Sequence, residues 1–148
     1  MTGNIHALPD VSPPWVAYNF AVLRVVPHVH IGTFAPVGVV LHARTAEFLG
    51  LRVVTDVAEL AVRATGVDLA LLVRYLESCR AICEGDIRAG PVALAPESER
   101  FHWLTAPRSD VIQSGPVHEG LCRDPAATLE ELFETYCRGF RPDVARLV

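Results

Sequence analysis

The chain contains no lysine: all 13 of its basic residues are arginine. Schiff-base chemistry and the lysine of a phosphate-binding loop are thereby excluded. Any anion binding falls to guanidinium groups, which hold carboxylate or phosphate through parallel N–H donors. No apolar run reaches the ~20 residues that cross a bilayer, so no membrane association is expected. Aromatics are few, at 7%, and the net charge is −4, which argues against nucleic acid as a partner. There is no C-x-x-C, no H-E-x-x-H, no internal repeat and no low-complexity tract. The first residues lack the basic-then-apolar pattern of a secretory signal, so the expected location is cytoplasmic, with thiols reduced.

What remains is an ordinary globular composition. The 148 residues suit one domain with a real core, and 51% of them are hydrophobic. Residues 1–14 read as a flexible N-terminal arm and 15–148 as the domain. Trp15–Val26 is rich in β-branched and aromatic residues and predicts a strand interrupted only by the polar Asn19 and Arg24. Val37–His42 and Phe48–Val54 predict two more strands, closely spaced as in an antiparallel meander. Asp56 with Glu59 resembles a capping box ahead of Val57, Leu60, Ala61 and Ala64. Asp68 opens the strongest helix, with a stripe of Leu69, Leu72, Val73, Leu76, Cys79 or Arg80, and Cys83, ended by Gly85. Asp86–Pro96 reads as loop, Pro96–Trp103 as a short helix and Val111–Ser114 as a strand entering a Gly115–Pro116 turn. Asp124 and Pro125 start a closing helix whose stripe is Leu129, Leu132, Phe133, Tyr136 and Cys137. Strands followed by helices predict an α+β fold, a small antiparallel sheet packed by about three helices.

Between Phe101 and Leu121 the chain crowds Trp103, Arg108, Ser109, Gln113 and His118 into a segment without clean periodicity. Arg108 and Ser109, after Pro107, form a candidate anion cradle that Gln113 and His118 would complete if the strand folds back beside the loop. The plainer reading pairs Arg108 with Asp110 or Glu119 to pin the loop. Cys122 and His118 are a candidate nucleophile and base, with Glu119 or Asp124 to orient them. His28 and His30, with His42 nearby, are weak metal candidates, since a closed site wants three or four ligands. Cys79 and Cys83 read first as small core residues. Asp56, Asp68 and Asp124 read as helix caps, and Glu130, Glu131 and Glu134 as a solvated face. No cofactor signature is present, and no catalytic residue is assigned.

The stretches VGVVLH (37–42) and RFHWLTAPRSDVIQSGPVHEGLCRDP (100–125), with the closing leucine- and glutamate-rich helix, carry a resemblance. Over most of Tyr18–Cys137 the chain resembles the bacterial family numbered 3037 among the domains of unknown function. The resemblance implies neighbouring genes for HipA-like kinases, and hence a toxin–antitoxin setting. One departure stands out. The family pattern GE-x-x-NVGVVL has Thr33 and Pro36 here in place of its glutamate and asparagine. The functional expectation is a non-catalytic accessory or regulatory interaction protein, partnered by a HipA-like kinase or by a second copy of itself. The alternative is a small enzyme or binding protein for an anionic or phosphorylated small molecule, using the Arg108–Ser109 loop.

Overall fold

The computed structural model describes residues 12–28, 33–106 and 111–140. Five strands form one antiparallel sheet: β1 (Val16–His28), β2 (Thr33–Ala43), β3 (Phe48–Val53), β4 (Ile112–Ser114) and β5 (His118–Cys122). The order is β3-β2-β1-β4, with β5 also on β1. Thus β4 and β5 follow one another along the same edge of the long first strand, opposite Val25–Leu23 and Phe20–Val16 respectively. They are joined through Gly115, whose N–H donates to the Val22 carbonyl at 2.7 Å. The expected α+β architecture is present. The extra strand β5 lies where the sequence reads as turn and irregular chain.

Strand alternation sends successive side chains to opposite faces. One face carries Leu23, Ala21, Val40 and Leu49, and receives α2 (Leu69–Glu84) and α3 (Glu97–Thr105). The Cys83 thiol lies 3.6 Å from the Leu49 carbonyl on this side. The other face carries Phe20, Val22, Val39 and Leu41, and receives α4 (Pro125–Phe133) and the π-helical turn that follows it, Glu134–Arg138. Burial of this two-sided core is complete at Leu23, Val25, Val37, Val39, Val40 and Leu41. Apolar area removed from water at ~25 cal/mol per Å² is the main favourable contribution.

The caps behave as the sequence predicts. Asp56 accepts from the Ala58 and Glu59 amides ahead of α1 (Val57–Arg63). Asp68 accepts from Leu71 and Asp124 from Ala127, and Gly85 closes α2 at φ 72°. The Asp86–Pro96 loop contains two short 3₁₀ turns, Ile87–Ala89 and Pro91–Leu94.

Three details of the helical stripes need correction. In α1 the buried residues are Leu60 and Arg63, while Val57 is exposed. Arg63 tucks in because its Nη2 donates to the Cys137 carbonyl at 2.6 Å and its guanidinium stacks 5.1 Å from the Phe140 ring. In α2 the buried line runs Leu72, Leu76, Cys79, Ile82 and Cys83, whereas Val73 is 41% exposed. Arg80 stays outside, paired with Glu77 and Glu84. In the closing helix Tyr136 is 44% exposed, its ring 5.7 Å from that of Phe20 at the border of the core. The four cysteines are buried and none is in a disulfide. Burial pushes the Cys83 and Cys137 thiols up to about 12, as expected of packed, unreactive sulfur.

Candidate functional site

The helices do not cover the whole sheet. On the α2–α3 face, the start of β1 from Val16 to Asn19, with Trp15 just ahead of it, and the paired β5 lie open. Register places His42, Asn19 and Glu119 side by side on this face. One row on, Ala17 lies beside Leu121, and beyond them the Arg123 guanidinium stacks 4.7 Å from the Trp15 ring. Trp15 is 62% and Leu121 67% exposed, large apolar groups left in water on an otherwise polar row. A hollow of about 490 Å³ lies over the row, bounded by Tyr18, Arg44, Thr45 and Gly120 in addition. A second hollow of about 500 Å³ adjoins it, between His42, Arg44 and Glu47 on one side and Pro96, Glu97 and Ser98 on the other.

His42 and Arg44 line both hollows. The His42 side chain is buried, its ring 5.5 Å from Phe101 of α3. Burial holds its pKa below the ordinary value; Arg44 and Arg100 push the same way, and Glu97 opposes them. A neutral imidazole with one donor and one acceptor is the resulting group at neutral pH. The turn that follows β2 carries Arg44–Ala46 into Glu47, which sits at φ 52°. It is the one non-glycine residue with positive φ among the described residues, and it stands on the rim of the hollow. Such backbone strain concentrates at functional positions.

Gly120 pairs with Tyr18, whose side chain lies on the opposite, α4 face of the sheet beside Phe20. A Cβ there would come within 2.5 Å of the Tyr18 ring, so the absent side chain lets that ring lie across the strand. The Tyr18 hydroxyl is raised above its ordinary pKa, first by burial and then by Cys122, Glu131 and Tyr136. It remains a neutral donor at neutral pH.

Other residues singled out by sequence are arranged differently. Arg108 and Ser109 lie outside the described residues, as does His30. Gln113 lies in β4 opposite Arg24, and His118 in β5 opposite Phe20, its ring 5.2 Å from the phenyl ring. Four residues of β1 separate the two positions, ~13 Å along a strand. The same spacing separates His118 from Cys122 within β5, beyond the hydrogen-bond reach a nucleophile and its base require. His28 ends β1 and His42 faces Asn19; no group of three metal-ligating side chains occurs among the described residues. Trp103 is partly buried against the core. Thr33 and Pro36 pair with His28 and Arg24 at the opposite end of the sheet from His42.

The open row escaped sequence reading because it joins residues from positions 15 to 123, and only the strand register brings them together. Its one legible trace is Asn19, the polar residue within an otherwise apolar run.

The sequence matches a family described as a protein of unknown function, DUF3037, over residues 20–137. The chain belongs to the DUF3037 family. Comparisons with curated proteins and with solved structures gave no match. The matched span contains the whole of β2, β3, β4 and β5 and the four described α-helices, so His42 and Glu119 lie within the DUF3037 region, whereas Trp15, Ala17 and Asn19 precede it. No helix among the described residues is long and apolar enough to cross a membrane.

Proposed function

We propose that this DUF3037 protein is a non-catalytic accessory or regulatory interaction protein, and that the open sheet face around Trp15, Asn19, Leu121 and Glu119 is where a protein partner docks. The observation that carries the reading is the exposure of Trp15 and Leu121 beside a polar row, with Leu121 on the edge of an open hollow. An aromatic anchor, an aliphatic neighbour and an arginine within a polar rim are the composition of an interaction patch. The partner we favour is a HipA-like kinase, in the cytoplasm, where cysteines outside disulfides stay reduced.

The test is co-expression with that kinase and measurement of complex formation by size exclusion and titration calorimetry. A defined complex is expected, weakened ~30-fold by Trp15→Ala, as for an aromatic hot spot of about 2 kcal/mol. A wild-type chain that ignores the kinase overturns the partnership; a complex indifferent to Trp15→Ala and Leu121→Asp moves the docking face elsewhere.

A further inference from the structure

A smaller cavity, about 210 Å³, lies on the opposite, α4 face of the sheet. Three arginines from three separate elements line it: Arg52 of β3, Arg63 of α1 and Arg138 of the π turn. Two of them share one aromatic support, since Arg52 and Arg138 lie 4.5 and 5.5 Å from the centre of the Phe133 ring. Each also has a carboxylate on its flank. Arg52 Nε donates to Glu130 at 3.0 Å, and Arg138 Nε meets Glu134 at 2.9 Å.

Arg63 is different. It is 8% exposed, and its described hydrogen bonds go to carbonyls, those of Cys137 and Glu59. Its Nε is buried and lacks a hydrogen-bond partner. A buried cationic donor without an acceptor is costly, and such orphans call for an explanation. The carboxylates at the cavity do not supply the missing acceptor. Asp56 is engaged in capping α1, and Glu59 stands exposed on the rim.

We propose that this cavity binds a phosphate group, free or as the terminal group of a small molecule, with Arg63 at its base and Arg52 and Arg138 at its sides. Three guanidinium groups approaching from three elements suit a tetrahedral anion, whose oxygens accept from several directions. A planar carboxylate is matched by a single fork. The ligand would bridge β3, α1 and the C-terminal end of the closing helix, and so fasten together elements distant in sequence. This site lies across the sheet from the docking face and stands independently of it.

Titration calorimetry and thermal unfolding of the full chain, with inorganic phosphate against chloride at equal ionic strength, test the proposal. Phosphate is expected to raise the melting temperature and to give a saturable isotherm. Arg63→Gln removes the base of the site, but it also frees the Cys137 carbonyl and can unfold the chain. Arg138→Gln, at a half-exposed residue, is therefore the second variant: binding about tenfold weaker, as for one lost charge-assisted bond, with unchanged melting of the free protein. Glu59→Gln, which removes a rim carboxylate, is expected to tighten binding. Glycerol phosphate binding more tightly than inorganic phosphate identifies a phosphorylated small molecule, and equal binding identifies phosphate itself; both support the site. Phosphate acting no more strongly than chloride overturns it, as does a wild-type response from Arg138→Gln.

Discussion

The two ends of β1 do opposite things on the same sheet face. From Ala21 to Val25 the strand is closed over by helices, and its inward side chains are 0–1% exposed. From Val16 to Asn19 the strand continues with the same β-forming residue types, yet on that face Ala17 is exposed and Asn19 only partly buried beside β5. Local sequence makes both halves strand; tertiary cover alone separates them. A stretch with high β propensity and no cover is where a globular chain has surface left for something else.

The largest break in this comparison is on the covered side. Leu41 is fully buried, paired with Phe20 and Gly50 beneath α4. Leu41→Ala removes buried methyl groups and leaves a cavity in a two-sided core, so a loss of ~2–5 kcal/mol is expected in urea unfolding. A loss below ~1 kcal/mol would mean that the packing at Leu41 is looser than burial indicates.

The covered half was legible in advance for the reason it is stable. Burial forces period, and Leu72, Leu76, Cys79 and Cys83, or Val39 and Leu41, keep that period. Caps are equally local: Asp56, Asp68 and Asp124 each bind amides two or three residues on. What escaped reading depends on distant partners. Strand β5, HEGLC, alternates without an apolar face because Glu119 and Leu121 point to the uncovered side. Arg63 is buried against the expectation for arginine because a carbonyl 74 positions away accepts a hydrogen bond from its guanidinium. The His42–Asn19–Glu119 row follows from two strand registers, which spacing alone does not set.

A smaller effect tests the border between the halves, where His42 lies against Phe101 and faces the hollows. Its pKa is depressed in the folded chain, mainly by burial. The unfolded chain therefore binds a proton first as pH falls below the ordinary 6.5. Stability contributed by the neutral ring is present above that value and lost below it, with a slope of at most about 1.4 kcal/mol per pH unit. Urea unfolding at pH 7.5 and 5.5 is expected to show this loss in the wild-type chain and a smaller one in His42→Leu. Equal losses would mean that other groups carry the acid sensitivity.

The smallest expected change sharpens the comparison most. Leu121→Ser removes an aliphatic side chain of the same type as Leu41, but one that is 67% exposed on the edge strand. Stability should move by no more than ~0.5 kcal/mol, as for a surface substitution. Binding through the proposed docking face is expected to weaken, since a partner there would bury this side chain. The pair of measurements separates two explanations of the exposed leucine. Unchanged stability with weakened binding marks a residue retained for an interface. A stability loss approaching that of Leu41→Ala would show that Leu121 belongs to the fold, and that the open end of β1 is covered in solution.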